Sequence, residues 1–270
     1  MFAHTDHQPY GEIIAELSTR LPIELEYYDD RYLKRRIDAR LRRTDAPNFE
    51  SYLSYLDEHD EEEELLLESL SINVTGFFRN PEVWTALKDI LRELTNEQRR
   101  VNVWSAPCAD GREPYSVALL ALDDPDIRED RLSITGTDVS EDALATARAG
   151  TYQTGTTNDI ASELQPLRVP EQYVKTHNGE FQISDPVRSL VDFQHHDLIQ
   201  DRPLDNMDIV LCRNFLIYIH QAYETVIFDT ISSALGTGGH LIVGMTESSV
   251  PEGADDFNAI DRSNRIYERI

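Results

Sequence analysis

The sequence predicts an α/β chain in which an all-helical N-terminal unit precedes a doubly wound parallel sheet carrying a small antiparallel β insertion. Three observations lead there. The opening seventy or so residues mix apolar and charged positions at helical spacing and contain no strand-like run. Beyond residue 73, short apolar runs alternate with helix-compatible segments, the pattern of a parallel sheet covered by helices. Between Gly150 and Asp197 the alternation gives way to irregular text with one hairpin signature.

The helical unit is read from "YGEIIAELSTRLPIEL", "YYDDRYLKRRIDARLRRT" and "NFESYLSYLDEHDEEEELLLESLSI", the last with Asn48 as its N-terminal cap. The boundary falls near Asn73, giving units 1–72 and 73–270. In the second unit "VNVWSA", "LSITGTDV", "MDIVLC" and "GHLIVGM" are strands. The segments "EPYSVALLAL", "SEDALATARAG" and "HQAYETVIFDTISSAL" are the helices between them. Within an insertion at about 165–195, "YVKTHNGEFQI" reads as two strands joined at Asn178-Gly179.

Composition narrows the function. The chain of 270 residues has 50 acidic and 25 basic side chains, a formal charge of −25, and only 3 of its basic residues are lysine. Such a field opposes nucleic-acid binding, which depends on neutralising phosphates. It also resembles proteins of salt-loaded, halophilic cytoplasms, where ions screen self-repulsion. No run is long and apolar enough to insert in a membrane, and the start lacks a secretion signal, so a cytoplasmic protein is expected. Cys108 and Cys212 each adjoin an apolar run and read as buried thiols, without a disulfide framework or zinc cluster. The acidic run from Asp57 to Glu64 lacks the ligand order of a calcium loop. His195 and His196 read as loop or strand-end residues: adjacent histidines in a strand would point to opposite faces, and no convergent third ligand is visible nearby, so no metal is expected.

An open parallel sheet binds ligands beyond the carboxyl ends of its strands. There the loop after "VNVW" contains Gly111, suited to close backbone approach, ahead of a helix start with N–H groups to offer an anion. The loop lacks both the Walker lysine and the full dinucleotide glycine pattern, which opposes ATP and NAD. Asp138 ends the next strand and either accepts from both ribose hydroxyls of an adenosine or caps the following helix, a role for which Ser140 competes. Arg213 and Asn214 follow "MDIVLC" directly and either meet a ligand or, for Arg213, neutralise an internal acid.

Taken in order, "NVTGFFR" (73–79), "VWSAPCADGREPYS" (103–116), "GTDVSEDALATARAGTY" (136–152), "LCRNFLIYI" (211–219) and "GGHLIVGMTES" (238–248) resemble the chemotaxis receptor glutamate O-methyltransferase (CheR) family. The resemblance implies a doubly wound S-adenosylmethionine-dependent methyltransferase fold behind an N-terminal helical receptor-docking domain. S-adenosylmethionine is then the methyl donor and S-adenosylhomocysteine the product, with no metal. It also implies that Asn73, Thr75, Arg79, Glu113, Asp138, Asp197, Leu198, Arg213 and Asn214 contact this cofactor, with Arg79 on its carboxylate and Asp197 and Leu198 on the adenine side. Arg92 and Tyr218 would act on the acceptor glutamate, Arg92 attracting its carboxylate and Tyr218 orienting it.

Several assignments have a structural alternative: an interface ion pair for Arg79, a helix cap for Glu113, interdomain turn bonds for Asn73 and Thr75, core packing for Tyr218 and helix-surface solvation for Arg92. In "RYLKRRIDARLRR", Arg36, Arg40 and Arg43 are spaced to share one helix face. By resemblance that face docks the acidic cytoplasmic helices of chemotaxis receptors, recruiting the enzyme to membrane receptor arrays; an internal set of salt bridges is the alternative. A methyltransferase with another acceptor, or a cofactor-sensing module without catalysis, are the competing functions.

Two departures from the family pattern stand out. Pro107, Asp110 and Arg112 replace the usual residues of the first loop, and Asp110 and Arg112 are expected to form a local pair. The Asn178-Gly179 turn is short, which suggests receptor recognition without a tail tether.

Overall fold

The structure, a computed structural model, describes residues 7–21, 23–70, 75–155, 159–247 and 256–270. The chain divides into two compact units: Met1–Ile72 with Leu216–Glu224, and Asn73–Phe215 with Thr225–Ile270.

The first unit holds α1 (His7–Arg20), a 3-10 turn at Leu25–Tyr27, α2 (Asp30–Thr44), α3 (Phe49–Glu58) and α4 (Asp60–Leu70). Asp29 caps α2 by accepting from the Arg31 and Tyr32 amides, and Asn48 caps α3 by accepting from Ser51 N at 2.9 Å. The stretch that reads as one helical pattern from Asn48 onward breaks at His59, whose non-helical backbone (φ −139°, ψ 87°) separates α3 from α4. The helices close on a core of Ile13, Leu17, Leu33, Ile37, Tyr52, Leu56 and Leu66. Leu216–Tyr218, a 3-10 turn, belongs to this body: Tyr218 packs its ring 4.8 Å from that of Tyr32, and its carbonyl accepts from Asp29 N.

The second unit opens with α5 (Pro81–Glu97). It continues through β1 (Val101–Ser105), α6 (Arg112–Asp123), β2 (Leu132–Asp138), α7 (Glu141–Ala149) and β3 (Thr151–Gln153). After these come α8 (Ile160–Glu163), β4 (Val174–His177), β5 (Glu180–Ile183), α9 (Asp185–Arg188), β6 (Val191–His195) and β7 (Met207–Cys212). Helix α10 (Gln221–Ala234) starts in the segment grouped with the helical unit and leads to β8 (Leu235–Val243), β9 (Phe257–Asp261) and β10 (Ile266–Arg269).

The main sheet has seven strands in the order β6-β2-β1-β7-β8-β10-β9. All neighbours are parallel except the β8-β10-β9 end, an antiparallel hairpin that the sequence pattern does not announce. The chain runs outward from β1 through β2 to β6, then crosses back to β7 and runs the other way. With right-handed crossovers, α6 and α7 cover one face and α10 the other. The reversal lies between β1 and β7, and the strand carboxyl ends at such a reversal are where open sheets of this kind bind ligands.

The insertion is a separate three-stranded sheet, β3-β5-β4. Its hairpin turns at Asn178 and Gly179, both at positive φ (50° and 79°), the backbone that a two-residue turn between twisted strands requires.

Candidate functional site

The residues that converge at the reversal come from four segments. Ser105 is the last residue of β1, and its neighbour Ala106 donates to Leu211 O of β7, so the two strand tips are held level. Glu113, in the first turn of α6, accepts from Ser105 Oγ at 2.9 Å and pairs with Arg213 Nη1 at 3.0 Å. Arg213 extends from the end of β7 and reaches the segment before α5, where Nη2 donates to Arg79 O and to Asn80 Oδ1. Asn80 is the N-cap residue of α5 in left-handed backbone, yet its side chain makes no cap bond and serves Arg213. Trp84 completes the clamp: its indole N–H donates to Arg79 O, and its ring lies 5.7 Å below the Arg213 guanidinium.

Asp138 ends β2, one strand further along, and is 9% exposed. Its Oδ2 accepts from Ala109 N and its Oδ1 from Ser140 N, while Ser140 Oγ caps α7 through Ala143 N. The capping alternative therefore goes to Ser140, and Asp138 instead ties the first loop to the second. Burial pushes the Asp138 carboxyl above the usual aspartate range, against the pull of the Ser140, Ala109 and Val139 amides. A carboxylate has about four acceptor positions, so these bonds leave room for a ribose hydroxyl.

The first loop carries the departures from the family pattern, and each has a structural account. The Ala106–Pro107 peptide is cis. Arg112 turns back onto Asp110, Nε lying 3.1 Å from both carboxylate oxygens and Nη2 2.9 Å from Oδ2, so the expected pair exists. Its guanidinium also lies over the Tyr152 ring and 3.9 Å from Glu163. Glu163 in turn accepts from Phe77 N at 2.9 Å and thereby fastens the segment before α5.

Gly111 corrects an expectation. It sits at φ 88° as the N-cap of α6, and a Cβ there would lie 2.7 Å from Ala147 Cβ and 2.9 Å from the Phe193 ring. Close packing of α7 and β6, not approach to a ligand, is what requires the glycine.

Two more assignments are corrected by geometry. Arg92 lies on α5 and holds Asp124, the C-cap of α6, at 2.8 Å, with Asp89 at 3.0 Å. Because α6 begins at the strand carboxyl ends and finishes at the other edge, Arg92 stands at the far side of the sheet from the site. Arg40 is buried in the helical unit, where Nε and Nη2 grip the Glu62 carboxylate at 2.9 and 2.5 Å and Tyr52 donates to the same group at 2.7 Å. The internal ion pair, not docking, is its role. Arg36 is half-buried, stacked 5.2 Å over the Tyr32 ring, while Arg43 is exposed. The exposed stripe of α2 runs instead through Arg31, Arg35 and Arg42, which fall within about 40° of one another around the helix.

Of the remaining expected residues, Arg79 and Thr75 are half-buried in the segment before α5, and Asn73 lies outside the described residues. Asp197 follows β6 at the same sheet edge, and its carboxylate orders the next turn by accepting from Ile199 N and Gln200 N. Leu198 is buried beside it. Asn214 adopts left-handed backbone (φ 60°) immediately after Arg213. Sequence reasoning missed Asn80, Ser105 and Glu163, and also Glu247, which accepts from Phe215 N at 2.6 Å and from Gly244 N. Among the described residues no cluster of three or more His, Cys, Asp or Glu could hold a metal ion, and no helix is long and apolar enough to cross a membrane.

The arrangement suits a cationic nucleoside bearing an amino acid. It offers a buried acid at a strand tip for a diol, a second acid beside it, and a buried guanidinium whose Nε has no partner.

Comparison with known proteins shows the family. Residues 73–266 match the family described as "CheR methyltransferase, SAM binding domain", and residues 9–71 match "CheR methyltransferase, all-alpha domain". A probable chemotaxis protein methyltransferase of Rhizobium etli is 32% identical over 208 residues, covering 75% of this chain and 77% of that protein. A chemotaxis protein methyltransferase of Vibrio parahaemolyticus is 32% identical over 187 residues, 67% of each chain. An uncharacterized 104.1 kDa protein of Rhodobacter capsulatus is 31% identical over 266 residues, 96% of this chain but 27% of that much longer one.

Proposed function

Because this chain belongs to the CheR methyltransferase family and carries both its all-helical and its S-adenosylmethionine-binding domains, we propose that it methylates glutamate side chains of chemotaxis receptors. The products are glutamate methyl esters and S-adenosylhomocysteine. The observation that carries the reading is the clamp of Glu113, Arg213 and Asn80 at the sheet reversal, one strand from the buried Asp138.

S-adenosylmethionine supplies an electrophilic methyl group on a cationic sulfur. The chain's own residues bind and orient. Asp138 holds the ribose, Leu198 and the turn ordered by Asp197 flank the adenine, and Glu113 faces the cationic amino end. Arg79 takes the carboxylate, and Thr75 and Asn214 contact the same donor. The acceptor glutamate is ionised near neutral pH and needs no general base. Its attack on a cationic centre neutralises charge, so positioning and exclusion of water provide most of the advantage. This explains a site rich in ion pairs but without a nucleophile activated by a neighbouring base. Tyr218 retains its proposed part in orienting the acceptor; Arg92 does not.

The exposed stripe of Arg31, Arg35 and Arg42 on α2, extended by Arg43, provides the cationic face for acidic receptor helices in a chain whose net charge is −25. Incubation with methyl-labelled S-adenosylmethionine and receptor cytoplasmic fragments tests the reading. Alkali-labile label on receptor glutamates supports it. Label on a different acceptor, or binding without transfer, overturns it.

A further inference from the structure

The turns that follow β7 and β8 are locked together by one carboxylate that no part of the proposed chemistry uses. Glu247 is 2% exposed, and its two oxygens serve different turns: Oε1 accepts from Phe215 N at 2.6 Å, and Oε2 accepts from Gly244 N. The fit leaves no space for a side chain at position 244. A Cβ there would lie 2.5 Å from Glu247 Oε2, 2.6 Å from Asn214 N and 2.9 Å from Asn214 Nδ2. Between the two turns, Cys212 pairs with Val243 in the β7-β8 ladder, so the carboxylate continues the register past the point where strand pairing ends.

What it fixes is the direction in which Arg213 leaves the sheet. Arg213 must reach Glu113 on one side and Asn80 on the other, and it does so from a turn whose next residue, Asn214, is held at φ 60°. Asparagine is among the few non-glycine residues that enter this conformation readily, so the turn is accessible to the chain and needs only to be fixed. The Phe215 amide anchored on Glu247 fixes it, one residue beyond the left-handed position.

We infer that Glu247 is a positioning residue for the methyl-donor site: it sets the turn that aims Arg213 and presents Asn214, and it acts on donor binding without touching the donor. The inference rests on the proposed use of this site for S-adenosylmethionine. Removing one acceptor from a buried amide costs enough to weaken a site built on that amide by about tenfold.

The test uses the full chain and the variant Glu247→Gln, whose single carbonyl oxygen can serve only one of the two amides. Calorimetry with S-adenosylhomocysteine should show about tenfold weaker binding, and the S-adenosylmethionine KM should rise while the KM for a receptor fragment stays within about twofold. Glu62→Gln, which loosens the helical core elsewhere, serves as the control: it should lower Tm without moving the S-adenosylmethionine KM. Wild-type affinity in a folded Glu247→Gln protein overturns the inference, as does an equal rise in both KM values. Should the variant not fold, hydrogen exchange on the wild-type chain decides. Saturating S-adenosylhomocysteine should slow exchange at the Phe215 and Gly244 amides, and unchanged rates there overturn it. A wild-type chain that binds no S-adenosylhomocysteine at all counts instead against the proposed function.

Discussion

Arg213 and Glu113, a hundred positions apart in the chain, meet as a buried ion pair at 3.0 Å, at the point where the parallel sheet reverses direction. The pair is satisfied on every side that the fold can reach: Ser105 donates to the acid, and Arg79 O and Asn80 Oδ1 accept from the base. Of the pair's polar atoms only Arg213 Nε is left buried without a partner.

Arg213→Ala should therefore damage both stability and binding. It leaves Glu113 buried with one partner and releases the segment that carries Arg79. Loss of one member of a buried pair costs about 3–5 kcal/mol. Urea unfolding should show a loss of that size, and S-adenosylhomocysteine binding should fall below detection in the protein that remains folded. Arg213→Lys should recover part of the stability but not the binding, since an ammonium cannot reach Glu113 and Asn80 together in the fork geometry of a guanidinium.

Asp138 predicts a pH dependence. Burial raises its pKa above the usual ~3.9 of aspartate, and the ionised form has the most acceptor capacity left for the ribose. As pH falls, S-adenosylhomocysteine affinity should begin to drop above the ordinary aspartate range, and Asp138→Ala should bind weakly with that acidic limb abolished. The sign for folding is the opposite of a salt-bridged aspartate. With the folded pKa raised, the native chain binds more protons than the unfolded one between the two values. This group's contribution to stability therefore falls as pH rises through that window. Calorimetric titrations across the acidic range check the binding limb.

Four strands of the sheet were legible because most of their residues are buried and they read as short apolar-rich runs, "VNVWS" and "MDIVLC" among them. The edge strands were not. β6, "VDFQH", buries only Val191, and β9, "FNAID", has no buried residue, so neither leaves a periodic mark. In the site, Asp138 and Arg213 were singled out because they end strands, and Glu113 only because the loop resembles the family's. Glu247 carries no such mark, for its importance comes from two amides in different turns. Arginine roles were the least legible. Type and spacing put Arg40 on a helix face, but its partner Glu62 lies on another helix, and only the packing shows that this face points inward.

Arg40 and the outer stripe should accordingly behave in opposite ways. Arg40→Ala should cost about 3–5 kcal/mol, because it leaves Glu62 buried with only Tyr52. The reversal Arg31→Glu with Arg35→Glu should leave Tm nearly unchanged, since exposed charges contribute little to stability, and should raise the receptor KM several-fold, less at high salt. Glu62 adds a check on Arg40. Burial by itself would raise its carboxyl, but hydrogen bonds from Arg40 and Tyr52 and the Arg40 charge outweigh that and hold it below the usual glutamate range. The stabilisation is thus complete above the unfolded value and is lost as pH falls through the lower folded one.

Arg92→Ala should leave kcat and both KM values where they are, because its partners Asp89, Asp124 and Asp126 all lie at the edge of the sheet away from the strand carboxyl ends. A small drop in Tm is expected, as Asp124 loses its nearest cation while keeping the Asp126 amide. A fall in kcat at unchanged Tm would return Arg92 to the chemistry.

Gly111→Ala separates the two meanings a glycine in this loop can have. If the residue served only to let a ligand approach, alanine would weaken binding and spare the fold. The backbone stands at φ 88°, and the new methyl would press into Ala147 and Phe193 at 2.7 and 2.9 Å, both below van der Waals contact. Left-handed strain and overpacking add to about 2–4 kcal/mol. Denaturant unfolding should show a loss of that order, with S-adenosylhomocysteine affinity falling only as far as α6 and α7 are displaced. The second-site change Ala147→Gly removes the closest obstacle. It should restore part of the stability lost by Gly111→Ala, an interaction a ligand-contact role would not produce.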